Sequence, residues 1–441
     1  MNAIATSLRD RLGNEAEVVP PEQLDATWQS SLQAALAPGE PLPTLVLPQT
    51  EAGLAAAIAL AHAQQWPMLL SGNGSKLSWG APARGIQLLL STQRLNQLLD
   101  HAVGDLTVTA AAGLKLADLQ AILQPTGQFL PLDPAYPADA TLGGIVATAD
   151  AGSWRQRYGS PRDLLLGLSF VRADGAIAKA GGRVVKNVAG YDLMKLFTGS
   201  YGSLGAITQL TFRTYPLPAA ATTALASGPP EAIAAARTAL LQSALTPTRI
   251  DLLSVSLAQA LTEQAQPGLL VRYQSSPASV AEQVQRLRQL TEPLGLSFHT
   301  YTAEAETEVW SRLQARVRGT QPAAGDGAIR CKIGLLPSAA IAFLNDLTTL
   351  ASQPSVGQIH ASSGVGYLSL PAETEAAVIT KLRRTCEAQQ GYLTLLEAPP
   401  ALKQPLDPWG YTGNAIAVMR QLKHQFDPQN LLSPGRCVGG I

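Results

Sequence analysis

The chain has 441 residues, 46% hydrophobic and 15% charged, with 32 basic side chains against 32 acidic ones. That length exceeds what one ordinary core supports, so two or three domains with large buried cores are expected, and the composition excludes a disordered chain. A net charge of zero excludes an overall field for nucleic acid or anionic membranes, so any polyanion has to be held locally.

In chain order, a polar N-terminal helical region precedes PTLVLPQTEAGLAAAIALAHAQQWPMLLSGNGSK, which reads as strand, proline break, Ala/Leu-rich helix, strand and glycine loop. Residues 86–90 and 106–112 are short β-rich runs that alternate with helical stretches such as LKLADLQAIL. From 131 to 218 the chain is dense in glycine and short strands: LGLSFVRADGAI reads as a hairpin turning at 173–175, and LGAITQLTFRTYPLP as a strand ended by prolines. From about residue 219, EAIAAARTALLQSAL, ASVAEQVQRLRQLTEPLG and AETEAAVITKLRRTCEA carry helical periodicity. They are separated by GLLVRYQ, IRCKIGLL, VGYLSL and YLTLLEA, so an α+β unit with antiparallel pairing is expected. The tail ends a helix at Asp427-Pro428 and continues as an irregular segment.

Three scattered cysteines, Cys331, Cys386 and Cys437, supply neither a disulfide framework nor the ligands of an iron–sulfur or other metal site, and no metal is expected. The N-terminal stretch lacks the apolar region of a signal peptide, and the longest apolar run, 52–63, is too short to cross a bilayer. A cytoplasmic location is therefore expected.

The loop SGNGSK, Ser71 to Lys76, lies in a stretch from 52 to 99 that contains no aspartate or glutamate. Gly72 and Gly74 permit positive φ and close backbone approach, so N–H groups can converge on phosphate oxygens, with Asn73, Ser75 and Lys76 as further donors. The same residues are also ordinary turn formers. A Rossmann fingerprint would need glycine at Leu77, and a Walker loop would need Gly-Lys-Ser/Thr where this chain has Gly-Ser-Lys. A second constellation, 131–167, sets Gly143 and Gly144 before Ala147, Thr148, Ala149, Ala151 and Gly152, a floor on which a flat ring could lie, with Arg155, Arg157 and Arg162 close in sequence. A third offers Gly199, Gly202 and Gly205 ahead of a strand; glycine runs also mark bulges and corners.

For catalysis the candidates are few. Arg330 and Lys332 alternate on a predicted strand and so share a face, with His360 and Tyr367 on its neighbour. An Arg-x-Lys pair is more often a solvated edge, and a lone histidine more often structural. Trp79, Trp154 and Trp409 read as packing residues.

Taken together and in order, SGNGS, TLGG with YGSPRDLLLG, GYDLMKLFTGSYGSLGAIT and FDPQNLLSPGR resemble the vanillyl-alcohol oxidase type of FAD-binding flavoproteins. Within it, the chain is similar to the FAD-binding E subunits of bacterial glycolate oxidase, a likeness that includes GRVVKNVAGYDLMKL and EAPPALKQPLDPWG. The resemblance implies an α+β fold. A helical segment (1–42) leads to a two-part PCMH-type FAD-binding domain (43–218), then a cap-like α+β domain with an antiparallel sheet (219–400) and a short C-terminal segment (401–441) returning to the FAD domain. It implies that residues 71–76 hold the FAD pyrophosphate, and that Pro131, Asp133, Thr141, Gly143, Gly144, Ala147 and Thr148 line the cofactor channel. Gly205 and Ile207 would pack near the adenine or ribose end, and Asn430 would reach back toward the flavin.

Many relatives tether FAD through a histidine in this loop; here the histidines are His62, His101, His299, His360 and His424, so FAD is expected to be noncovalent. The histidine-rich C-terminal site of many hydroxy-acid oxidisers is also missing. Two functions stay open. One is a subunit oxidising glycolate or D-lactate together with a second FAD-containing catalytic subunit and an iron–sulfur subunit. The other is an assembly module whose FAD is structural.

Overall fold

The computed structural model describes residues 3–183, 190–262, 264–320 and 327–441. The resemblance segment GRVVKNVAGYDLMKL lies partly outside them.

The Ala/Leu-rich run forms the helix Glu51–Ala63, started by Thr50, whose hydroxyl accepts from Gly53 N at 2.9 Å. Leu54, Ala57, Ile58 and Ala61 form its buried face. The strands on either side, Thr44–Pro48 and Met68–Ser71, both pair in parallel with Leu88–Ser91, which lies between them. Ala16–Val19 adds an antiparallel edge to give a four-stranded sheet. The glycine loop therefore leaves the end of a strand whose partners fix its position.

A second sheet of five antiparallel strands runs in the order Leu98–Ala102, Thr107–Ala111, Ala206–Arg213, Leu165–Val171 and Ile177–Gly181. The predicted hairpin is its last pair. Its turn closes through Gly175, whose φ of +85° suits glycine and whose N–H donates to Arg172 O at 3.0 Å.

The third sheet has eight antiparallel strands, in the order Ser297–Thr302, Ala220–Ser227, Gly268–Ser275, Arg249–Leu253, Val356–His360, Val365–Leu370, Ile329–Gly334 and Tyr392–Glu397. Its two faces separate by strand alternation. Leu269, Val271, Ile329, Cys331, Ile333, Leu368, Leu393 and Leu395 pack into a core with the helices Pro230–Gln242, Ala340–Ala351 and Ala376–Ala388. Leu270, Tyr367 and Leu396 join instead a cluster containing Trp79, Ala135 and Tyr136 of the first half, together with Trp310 and Leu313 of the helix Ala303–Arg318. The sheet's second face thus roofs the half that carries the glycine loop.

The tail closes the arrangement. Met68 N donates to Leu431 O at 2.8 Å and Ser433 N to Met68 O at 2.7 Å, so the chain end runs beside the strand that leads into the loop. No helix among the described residues is long and apolar enough to cross a membrane.

Candidate functional site: an amide-lined channel under a sheet

A cavity of about 820 Å³ is lined by all six residues of the loop 71–76 and by Thr141, Gly143, Gly144, Ala147, Thr148, Gly205 and Ile207. Among the described residues, no protein acceptor takes the main-chain N–H of Gly72, Asn73, Gly74, Ser75 or Lys76; Leu77 N is the first to turn back, onto Gly74 O at 3.1 Å. Consecutive unclaimed donors facing a cavity form an anion nest. Glycine is required here on two counts. Gly74 has φ +78°, and a Cβ on Gly72 would stand 2.1 Å from Thr141 Oγ1, so the loop lies directly on the Thr141–Gly144 turn.

Other expected residues stand apart from this cavity. Pro131 is buried beside Leu130 and Leu132 and is not on its wall. Asp133 is not there either: its carboxylate accepts from Gly152 N (2.9 Å) and Trp154 N (3.2 Å), fastening a loop. Asn430 occupies an exposed turn with φ +54°, and the tail instead presents Arg436 to the cavity. Arg436 is 3% exposed and donates to the carbonyls of Ala35, Leu77, Trp79 and Ala81, which fixes the backbone leaving the loop. It is the last residue of the motif FDPQNLLSPGR, and no local pattern marks it as a cavity residue. Lys76 lines the cavity, but its ammonium lies 3.0 Å from Asp150 Oδ2, in an ion pair without a well-directed hydrogen bond. Asp150, 2% exposed, also binds Arg318 and accepts from Ala135 N at 2.9 Å. Burial alone would raise its pKa; Arg318 and then Lys76 outweigh that and hold it below the usual carboxylate range.

Thr148 and Tyr201 line both this cavity and a second one of about 560 Å³, under the sheet. Lys332 enters the second cavity among Tyr367, Tyr392, Trp79 and Trp409, with Asp150 on the wall. The shared face expected for Arg330 and Lys332 is thus the inner face, and their environments differ. Arg330 Nη1 is 2.8 Å from Glu397 Oε2, and Glu397 also accepts from Tyr136 OH and, at 2.9 Å, from Trp79 Nε1. Lys332 has no hydrogen-bond or ion-pair partner among the described residues, and burial lowers its pKa to about 8. Tyr367 is Lys332's cross-strand partner, and His360 lies one strand further on, behind it. No histidine lines either cavity, and no group of three His, Cys, Asp or Glu among the described residues is arranged to hold a metal ion.

Comparison with known proteins supplies the class. Residues 43–181 match a family described as FAD binding domain, and residues 402–437 match the C-terminal domain of FAD linked oxidases. The probable mitochondrial D-lactate dehydrogenase of Danio rerio is 28% identical, over 90% of this chain and 84% of that one. Glycolate oxidase subunit GlcE of Escherichia coli is 39% identical over 155 residues, 35% of this chain and 44% of that subunit. The fold is shared with 4-ethylphenol oxidase from Gulosibacter chungangensis, solved as an isoeugenol complex, with a TM-score of 0.76 at 14% identity over 98% of this chain and 96% of that one. The chain is an FAD-binding flavoprotein. It is an FAD-dependent oxidoreductase, and its residues 402–437 are similar to the C-terminal domain of FAD linked oxidases.

The unclaimed amides fit the cofactor's diphosphate, and the absence of a histidine on the cavity wall leads to a first expected result. Acid precipitation of the purified protein should release all its flavin into the supernatant; yellow colour retained in the washed pellet would show a covalent link.

Proposed function

We propose that the chain is the FAD-binding subunit of a dehydrogenase for small 2-hydroxy acids, glycolate or D-lactate, and passes electrons to an iron–sulfur partner subunit. The observation that carries this reading is Lys332: an ammonium group without a counter-ion, inside a cavity that continues from the amide-lined one. A buried cation of this kind is complemented by an anion, and a substrate carboxylate is the anion that the relatives named for D-lactate and glycolate have in common. FAD, when bound, supplies the two-electron acceptor for the carbinol carbon.

In this reading the residues divide their work. The amides of 72–76 hold the diphosphate, with Thr141, Gly143, Gly144, Ala147, Thr148, Gly205 and Ile207 as the remaining walls of the cofactor channel. Lys332 holds the carboxylate, and Tyr367, Tyr392 and Trp409 limit the size of the acid and exclude water. Cys331 and Cys386 are fully buried and Cys437 partly so; three thiols are too few for a four-cysteine cluster, so the onward acceptor is assigned to another subunit.

One observation favours a second reading, an assembly subunit whose FAD is structural and whose catalysis resides in a partner FAD subunit. The Lys332 cavity contains no histidine, and its carboxylate, Asp150, is occupied by Lys76 and Arg318. Anaerobic stopped-flow spectroscopy separates the two. With glycolate or D-lactate, the flavin of the isolated FAD-loaded chain should bleach more slowly than the co-expressed complex turns over, and bleaching should disappear in Lys332→Met. If the flavin of this chain never bleaches within the working complex, the structural reading holds.

A further inference from the structure

The wall of the Lys332 cavity offers more donors than the ammonium. Most of its polar side chains are already satisfied: Tyr367 OH donates to Ala151 O (2.6 Å), Trp79 Nε1 to Glu397 Oε1 (2.9 Å), Trp409 Nε1 to Arg436 O (3.2 Å), Thr394 Oγ1 to Trp409 O (3.2 Å) and Thr148 Oγ1 to Gly144 O (2.7 Å). Two phenols differ. The hydroxyls of Tyr392 and Tyr201 have no hydrogen-bond partner among the described residues, and neither they nor Lys332 Nζ belong to the polar atoms sealed from solvent, so a ligand in the cavity can reach all three.

Tyr392 is placed by the sheet itself. Where Ile329–Gly334 pairs with Tyr392–Glu397, Lys332 stands opposite Thr394 and Gly334 opposite Tyr392, so alternation puts Tyr392 on the face that carries Lys332, one diagonal step away. Gly334 makes room for it. A Cβ at Gly334, which would project from the same face as the Lys332 side chain, would stand 2.5 Å from Tyr392 Cε1, so the ring occupies the space over the glycine. Tyr201 stands elsewhere, at the junction with the amide-lined cavity, edge-on to Trp409 with ring centroids 4.8 Å apart.

We infer, on the reading of Lys332 as the carboxylate anchor, that Tyr392 is a specificity-determining residue of this site: its hydroxyl donates to the oxygen on carbon 2 of a short 2-oxo or 2-hydroxy acid. The carboxylate complements the ammonium, and the phenol, a neutral donor one diagonal step away, is complemented by a further acceptor oxygen. In these acids that oxygen sits on the carbon next to the carboxylate. An acid without it leaves the Tyr392 hydroxyl unbonded inside the cavity. Burial raises the Tyr392 pKa, so the hydroxyl keeps its proton throughout the range, below about pH 8, in which Lys332 is charged.

Pyruvate and propionate separate the two contacts, because they share a carboxylate and a similar shape, and only pyruvate has the 2-oxygen. Pyruvate is already at the oxidised level and does not reduce the flavin. Calorimetric titration of the FAD-loaded full chain at pH 7 gives both Kd values, each variant being compared at full flavin loading. The parent should bind pyruvate about 3- to 10-fold more tightly than propionate, the worth of one neutral hydrogen bond. Tyr392→Phe should bring that ratio to about one by weakening pyruvate alone, and Tyr201→Phe should keep it. Gly334→Ala, which crowds the ring without removing the hydroxyl, should lower the ratio as well. A parent that binds the two acids equally overturns the proposal without any substitution, so the test stands even if a variant fails to fold. A ratio that survives in Tyr392→Phe, or falls in Tyr201→Phe, also overturns it. If neither acid binds, or Lys332→Met leaves both affinities unchanged, the reading of Lys332 as the anchor fails and takes this role of Tyr392 with it; if Lys332→Met weakens both acids while Tyr392→Phe keeps the ratio, only the role of Tyr392 is lost.

Discussion

Replacing Asp150 by asparagine should destabilise the fold by about 3–5 kcal/mol, the cost of stranding buried partners of a removed charge. Asp150 separates Lys76, at 3.0 Å, from Arg318, and both cations are buried; asparagine leaves them facing each other across a neutral amide. Lys76→Met should cost less, because Asp150 keeps Arg318 and the Ala135 amide. The sign of the pH dependence follows from a carboxylate whose folded pKa is depressed. Its contribution is fully present above the unfolded value of about 4 and is lost as pH falls through the lower folded value. The parent should therefore lose stability in that acid window and Asp150→Asn should lack that component. Urea unfolding of the FAD-loaded protein at fixed free FAD measures both effects. If Lys76→Met proves the more damaging substitution, Asp150 is not the group on which the two buried cations depend.

The same network shows where sequence reasoning ran out. Strand–helix–strand alternation, the hairpin at 173–175 and the glycine loop that leaves a strand end were legible because each rests on local pattern: period-2 and helical hydrophobicity, a turn glycine, and glycines beside small polar residues. The strand Ala220–Ser227 carried little signal, because AATTALAS is poor in β-branched and aromatic residues, and its placement comes from pairing with Gly268–Ser275 and Ser297–Thr302. Lys76 read as a phosphate donor because its loop has no acid nearby in sequence; its counter-ion, Asp150, is 74 positions away and meets it only through the tertiary fold, just past the short helix Leu142–Ala147. Arg330 and Lys332 look equivalent in sequence. They diverge because the neighbouring strand Tyr392–Glu397 brings Glu397 to Arg330 and leaves Lys332 facing a cavity. Long-range ion pairing of this kind has no local signature.

Lys332→Met should lose substrate and gain stability at once, a pairing that a merely structural lysine would not show. A carboxylate bonded to a buried ammonium is worth about 1.5–3 kcal/mol, so the substrate's Kd should rise about 10- to 100-fold. In the parent, burial lowers the Lys332 pKa to about 8, so the charged form is complete below that pH and disappears above it. Substrate affinity should accordingly hold steady through neutral pH and fall about tenfold per unit above about pH 8, while the methionine variant shows a weak affinity without that dependence. For stability the sign is reversed. Between about pH 8 and the unfolded lysine value of about 10.4, the unfolded chain keeps a proton that the folded chain has released, so the parent becomes more stable as pH rises through that window. Methionine removes the penalty and should be more stable at pH 7 by an amount on the order of 2–3 kcal/mol. Binding of glycolate and D-lactate followed by perturbation of the flavin spectrum, beside denaturation at pH 7 and pH 10, reads both quantities. A variant that loses stability, or one that keeps the parent's affinity and alkaline limb, would remove Lys332 from the substrate site.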